Sequence, residues 1–481
     1  MKTYLSVYFG SAFLSLAVTL PVIWLALRIK AVDRPGVRTV HTRAIPRIGG
    51  VAIFLSVMSL IVVALFLNNA IGETFRHIRL QVVTLLCSAS VVFIIGLLDD
   101  LRGLPARFKF LAEILAAGSL CLVGVRISSI AVTDAWTLHF GLLGWPLTVL
   151  WIVGITNAVN LSDGLDGLAA GISAVACGVI AIFAIQGGNV VMAVLMLALL
   201  GSLTGFLFFN FSPAKIFLGD CGSLFLGFTI ASASVMCATK SAALVGLALP
   251  ILVLGVPIFD TFFSMLRRFL DRRGMFSPDR RHFHHKLIDM GIKQRHVVII
   301  IYVMTLLSAG LGMFMIVSSN ISSLMIFFCV LLLLLLAFQV VGSVRLKDTI
   351  AALQQKYAIT QQVQEEIKSF EDAQLHFRNA RTYNQWWSAI CKAAEQMDFA
   401  WVSLKTTDKD GTVRTEVWRT AGAPPGLSDV VIMTVPLRNH GKAGAMEFEI
   451  AISINGSYES IGHRAKLFGR LIDEHEVISS V

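Results

Sequence analysis

GWPLTVLWIVGITNAVNLSDGLDGLAAGISAVACGVIAIFAIQ, residues 144–186, decides how the chain is read. Two apolar runs, 144–160 and 167–186, flank a short polar segment carrying Asn157, Asn160, Asp163 and Asp166. Each run approaches the roughly 20 residues that an α-helix needs to cross a bilayer. Similar runs continue in both directions, near 4–27, 48–68, 80–98, 109–126, 189–209, 222–239, 243–265, 297–317 and 322–342, so about eleven spans are expected. Of 481 residues, 56% are hydrophobic and 15% charged, and the mean hydropathy is +0.75. A soluble chain of this length would form two or three domains with far more surface charge. The expected fold is an all-α polytopic membrane protein. Its first run is too long for a signal peptide, and Arg28 and Lys30 follow it instead of preceding it, so it reads as an uncleaved span.

Charge sets the expected orientation. Arg28, Lys30, Arg34, Arg38, Arg43 and Arg47 crowd one loop, Arg102, Arg107 and Lys109 the next on that side, and nine Lys or Arg the loop 266–296. Alternate loops are poor in them, and basic loops stay in the cytoplasm. The N-terminus is therefore expected outside, with the odd-numbered loops and the C-terminus inside. The formal net charge of +10 sits where topology demands and calls for no nucleic-acid partner. The seven Cys show no paired or metal-ligand spacing and read as buried thiols.

Past about residue 345 the composition changes. Residues 1–343 read as a polytopic membrane domain, 344–400 as a charged helical connector and 401–481 as a small soluble cytoplasmic α+β domain. Alternating runs such as Val430–Val435 signal its strands.

Four polar clusters are expected where cytoplasmic loops meet the membrane, and polar groups at that depth suggest a site. Adjacent Asp99 and Asp100 raise each other's pKa unless a cation compensates; a metal, a proton-accepting role or a plain solvated helix end would each account for them. Asn157 to Gly167 brings two Asn, two Asp and two close-approach glycines together, although Asn and Gly also make ordinary turns. Asp220, flanked by Gly219 and Gly222 at a helix start, suits a phosphate–metal site or a simple N-cap. Arg280, Arg281, His282, His284, His285 and Lys286 form a cationic patch that suits pyrophosphate. Hard carboxylates without Cys favour Mg²⁺ (or Mn²⁺) over zinc, and the natural reaction class is metal-assisted phosphoryl transfer to or from a lipid.

These blocks, Asp99–Asp100, Asn157–Gly167, Phe217–Ser223 and His282–His285, closely resemble the signatures of the polyprenyl-phosphate N-acetylhexosamine-1-phosphate transferases. So do Asp33-Arg34-Pro35-Gly36, His41 and Pro46-Arg47-Ile48-Gly49-Gly50. The resemblance covers roughly residues 1–340 in the family's order. It implies that a UDP-N-acetylhexosamine reacts with undecaprenyl phosphate to give the lipid pyrophosphoryl sugar and UMP, at the inner face of a bacterial cytoplasmic membrane. The peptidoglycan branch has three consecutive His followed by an acid. Phe283 and Lys286 break that pattern and resemble instead the branch initiating O-antigen, teichoic acid or exopolysaccharide chains, usually on GlcNAc. That other branch often has Lys soon after its Asp pair, where this chain has Arg102 and Gly103; Arg102, Arg107 and Lys109 are the substitutes at hand.

The resemblance further implies catalytic roles for Asp99, Asp100, Asp163 and Asp166, with Asp99 the base for the lipid phosphate. Asn157, Asn160, Phe217, Arg280, Arg281, His282, His284 and His285 would bind substrate, and Asp220 with Asp100 would hold magnesium. The C-terminal domain lies outside the resemblance and is faintly GAF-like; it would sense a ligand, dock a downstream glycosyltransferase or be a passive appendage. A homodimer is compatible with the pattern. A lipid or solute transporter or flippase shares intramembrane carboxylates and many spans, but predicts acids near the bilayer midplane and related sequence halves, and neither is found.

Overall fold

The computed structural model describes the chain except residues 1, 34–43, 67–78, 134–135, 239–242, 271–281, 318–319, most of 343–369, 408–411, 421–429, 438–445, 455–457 and 476–481. It divides into two compact units, Met1–Thr349 and Ile350–Val481.

The first unit is a helical bundle: α1 Lys2–Arg28, α2 Gly50–Phe66, α3 Arg79–Arg102, α4 Ala106–Leu122, α5 Gly144–Leu161, α6 Leu168–Gln186, α7 Val190–Asn210, α8 Gly219–Ala238, α9 Ala243–Val253, α10 Gly255–Leu270, α11 Phe283–Asp289, α12 Gln294–Val317 and α13 Asn320–Val340. Each expected apolar run contains helix, and among the described residues eight helices are long and apolar enough to cross a membrane. The expected count of about eleven is not matched among the described residues. The described part of α2 has 17 residues. With 17 residues, α4 spans about 25 Å at 1.5 Å per residue, against a hydrocarbon core of about 30 Å, and it carries Arg107, Lys109 and Glu113. The run 243–265 is broken between α9 and α10 at Leu254. Pro257 has no N–H to return to the Val253 carbonyl, so the helix cannot run straight through.

Helix α8 is the axis of the bundle: residues 221–238 are all buried, surrounded by α2, α3, α5, α6 and α9. Its start meets α2 backbone to backbone, because a Cβ on Gly50 would lie 2.8 Å from the Cys221 carbonyl carbon and closer still to Gly222. Residues flanking these helix starts are sewn together: the Gly49 and Gly50 amides donate to the Phe217 and Leu218 carbonyls (2.9 and 2.8 Å), and the Phe217 amide to Pro46 O (2.7 Å). A two-stranded link, β1 Val32–Asp33 with β2 Ile45–Pro46, closes that end. A second hairpin, β3 Ser129–Thr133 with β4 Trp136–His139, lies between α4 and α5.

The second unit holds a helical stretch at 370–379, α14 Tyr383–Gln396, strands β5 Phe399–Thr407, β6 Val413–Arg419, β7 Val430–Leu437 and β8 Met446–Ser453, and α15 Tyr458–Glu474. The strands form one antiparallel sheet in the order β6-β5-β8-β7. Alternate residues Val402, Leu404, Phe448 and Ile450 pack against Trp386 of α14 and Phe468 of α15 in one core. The region expected to be a connector therefore contributes α14 to the soluble fold, because Trp386 and Ile390 are buried there.

Candidate functional site

The last turn of α3 carries Asp99 and Asp100, and its carbonyls would be left without partners at a helix C-terminus. Gly103, in the left-handed region at φ 70°, returns its amide to Asp99 O at 2.8 Å, the usual glycine stop. Arg47 adds Nε to Asp100 O at 2.7 Å and Nη2 to Asp99 O at 3.1 Å. Arg47 thus supplies the positive charge that a helix C-terminus favours, and offsets two acids placed at the wrong end of the dipole.

The two carboxylates do different work. Asp100, 7% exposed, accepts the Asp220 amide at 3.0 Å and the Cys221 amide at 2.9 Å. It caps α8 from another helix, with one backbone N–H on each carboxylate oxygen. The α8 amides expected to face a phosphate thus meet the Asp100 carboxylate, which also lines the cavity described below. Gly219 makes the approach feasible: its φ is +75°, and a Cβ there would stand 2.7 Å from Asp100 Oδ2.

Asp99 turns the other way. One oxygen accepts the Leu104 amide, and the other meets Lys109 Nζ at 2.8 Å. The same ammonium lies 2.6 Å from Asp220 Oδ2. Two carboxylates from different helices therefore converge on one cation. Of the three basic residues expected to substitute for the lysine of the other branch, the geometry selects Lys109; Arg102 and Arg107 are exposed, and Arg107 lies over the Phe108 ring.

The segment Asn157–Gly167 lies against this cluster. Asn160 Nδ2 donates to Ser223 Oγ at 2.9 Å, and Asp166 Oδ2 accepts the Ala214 amide at 3.1 Å. Asp163 accepts the Gly219 amide, yet burial, reinforced by nearby Asp220 and Asp100, pushes its carboxyl well above the usual carboxylate range. Asn157 donates to Val153 O at 2.9 Å and to Glu113. Tyr302 of α12 closes the far end by donating its hydroxyl to Gly167 O.

The histidines depart furthest from expectation. Asp260 of α10 receives the Phe283 amide at 2.8 Å and faces His282 Nδ1 at 3.1 Å and His284 Nδ1 at 3.8 Å. His282 and His284 are buried, and burial pushes His284 down to about 3 despite Asp260 beside it. His284 is thus a neutral group packed on Gly164, where a Cβ would lie 2.7 Å from its Nε2, and not part of a cationic patch. The carboxylate that the histidines face is Asp260, 22 residues upstream of His282. Arg280 and Arg281 lie outside the described residues, as do Arg34, Pro35, Gly36 and His41.

A cavity of about 1000 Å³ opens over these groups, lined by Arg47, Asp100, Asp163, Asp166, Lys215, Phe217, Asp220 and His285, among others. His285 is the one member of the His trio on that lining, which Phe217 shares. Sequence reasoning missed Asp260, Glu113 and the capping by Arg47. Asp260 and Glu113 carried a signal, since each is an acid inside an apolar run; the role of Arg47 depends on a contact across 53 residues.

The convergence of Asp99 and Asp220 on a single positive charge fits a divalent cation: the donors are hard oxygens, and the spot already accommodates an ammonium. Among the described residues no three His, Cys, Asp or Glu gather as a complete metal cage.

Residues 82–238 match the family model described as glycosyl transferase family 4. The chain is 43% identical over 281 residues, 58% of its length and 75% of the relative's, to a protein of Bacillus subtilis named as a probable undecaprenyl-phosphate N-acetylglucosaminyl 1-phosphate transferase. It is 35% identical over 325 residues, 61% of its length and 77% of the relative's, to the decaprenyl-phosphate N-acetylglucosaminephosphotransferase of Mycobacterium tuberculosis. An undecaprenyl-phosphate alpha-N-acetylglucosaminyl 1-phosphate transferase of Thermotoga maritima is 34% identical over 263 residues, 54% of this chain and 74% of that one.

Proposed function

Because the chain belongs to the polyprenyl-phosphate N-acetylhexosamine-1-phosphate transferases of glycosyl transferase family 4, in the N-acetylglucosamine branch, we propose that this multi-pass membrane protein transfers GlcNAc-1-phosphate from UDP-GlcNAc to undecaprenyl phosphate. In the overall reaction a bond forms between an acceptor phosphate oxygen and the β-phosphorus of the donor. The bond from that phosphorus to the bridging oxygen breaks, and UMP leaves with the electron pair. The acceptor needs little deprotonation, since a phosphate monoester with its second pKa near about 6 is largely dianionic at neutral pH.

The observation that carries this reading is the Asp99–Lys109–Asp220 convergence beside a cavity lined by the Asp163–Asp166 loop. Asp220 and Asp99 would hold magnesium, which supplies charge neutralisation at the diphosphate when bound. Asp100 keeps Asp220 in place by capping its helix. Lys109 holds the two carboxylates at a fixed separation and lends positive charge to the reacting phosphates. Asp163, Asp166 and Asn160 border the donor, Phe217 offers a face to uracil, and His285 reaches the sugar or pyrophosphate side of the cavity.

In this reading the site faces the cytoplasm of a bacterial inner membrane, the reaction initiates a cell-envelope polysaccharide such as O-antigen or exopolysaccharide, and the soluble unit docks the enzyme that extends the lipid-linked sugar. The test is UMP release by detergent-purified protein given undecaprenyl phosphate, Mg²⁺ and a panel of UDP-sugars. Lipid-dependent release with UDP-GlcNAc, lost in Asp220→Asn, is the expected result. Folded protein that releases no UMP with any UDP-sugar would return the chain to the transporter reading.

A further inference from the structure

Glu113 lies one helical turn past Lys109 on α4, so the two side chains share a face. It is 1% exposed. A carboxylate buried at this depth is costly unless its oxygens are satisfied, yet among the described residues Oε1 has no hydrogen-bond partner and Oε2 has one, the Asn157 amide. Lys109 attracts it and Asp220 repels it. A buried acid that the fold leaves half satisfied, next to a reactive cluster, calls for a reason beyond packing.

The reason lies in what Glu113 does to Asn157. A side-chain amide has two N–H donors at one end and a carbonyl acceptor at the other, and either end fits the same space. Here both neighbours of Nδ2 are acceptors, Glu113 Oε2 and Val153 O. The reverse orientation would set carbonyl oxygen against carboxylate oxygen, so only one is tolerated. Asn157 is thereby fixed with both N–H groups spent and Oδ1 left to accept. Asn157 sits one turn before Asn160, which is tied to α8 through Ser223, near the end of α5 and ahead of the loop that borders the cavity.

We infer that Glu113 is a positioning residue for the transfer reaction: it fixes the orientation of the Asn157 amide, so that Oδ1 is presented as an acceptor beside the Lys109 cluster. The inference rests on the transferase reading above. It assigns Glu113 no contact with substrate; its effect passes through Asn157, and through its charge to Lys109 one turn away.

An exchange of donor and acceptor tests this with little change in volume. Asn157→Asp alone places carboxylate against carboxylate, and we expect kcat per folded enzyme to fall at least thirtyfold with the KM for UDP-GlcNAc changed less than threefold. Adding Glu113→Gln rebuilds the hydrogen bond with its polarity reversed and should recover at least tenfold of that loss. Glu113→Leu, which offers no acceptor, should cost more turnover than Glu113→Gln. Melting temperatures in detergent accompany each assay, so that turnover is referred to folded protein. A purely structural Glu113 would lower the melting temperature and leave kcat per folded enzyme alone. Harmless Asn157→Asp, or a double variant no better than Asn157→Asp, would overturn the inference. Wild-type protein without UMP release would instead overturn the transferase reading.

Discussion

Lys109 in the first unit is a half-buried cation and Arg464 in the second a buried one, and they are held in opposite ways. Arg464, 5% exposed, donates to the Met397 and Ser453 carbonyls at 3.1 Å each and to Asp398 O at 3.4 Å. It thereby ties the end of α14 to the end of β8. These three partners are main-chain groups that need a donor wherever the chain folds this way, and the one carboxylate near it, the exposed Asp398 at 3.6 Å, stands farther off. Lys109 is held by two carboxylates that repel each other, one 10 and the other 111 residues away from it in sequence. Nothing in the fold demands that arrangement. A cation that satisfies carbonyls closes a structure, whereas a cation shared between acids at the edge of a cavity marks a place where another cation can act.

The sharpest break of that contrast would be Lys109→Met. Turnover should fall by about a hundredfold to a thousandfold, the usual cost of losing one electrostatic stabiliser, while thermal unfolding of the bundle changes little. Unchanged turnover would make Lys109 another Arg464. The reciprocal change, Arg464→Met, should destabilise the soluble unit by about 3 kcal/mol through its abandoned carbonyls, measured by denaturant unfolding of that unit. UMP release per folded membrane unit should stay within threefold; a larger fall would tie the soluble unit to catalysis.

Two smaller effects refine the picture of the membrane unit. Gly50→Ala forces a methyl against the backbone of Cys221 and Gly222 and should cost about 1–3 kcal/mol by overpacking, read as a lower melting temperature in detergent. His284 gives a pH signature. Its folded pKa is depressed to about 3 from the model-compound value of 6.5, so between those values the unfolded chain binds a proton that the folded protein refuses. Its contribution is fully present above 6.5 and shrinks as the pH falls toward 3, at about 1.4 kcal/mol per pH unit. His284→Asn should flatten that part of the melting-temperature profile between pH 7 and pH 4; an unaltered slope would assign it to other groups.

How much of this was legible beforehand varies with the kind of signal. Helices α5, α6 and α7 follow the apolar runs closely, because their boundaries are set by polar residues and glycines that flank each run. The break at Leu254 was legible in principle from Pro257, but composition alone merged α9 and α10 into one span. The cluster residues Asp99, Asn160, Asp163, Asp166 and Asp220 were found because charge and amide groups beside apolar runs are conspicuous. Their division of labour was not. That Asp100 caps α8 while Asp99 faces Lys109 depends on which way two neighbouring side chains leave one helix turn.

Sequence by itself determined that the chain is helical, apolar and multi-pass, that a soluble unit follows, and which family's motifs it carries, because hydropathy and local spacing are written residue by residue. Only the tertiary structure decided that Lys109 is the bridging cation, that Asp260 claims His282 and His284, and that Glu113 stands behind Asn157. Each of those contacts joins separate segments of the chain, and its existence depends on helix packing through close approaches such as Gly50 on Gly222, which no local pattern encodes.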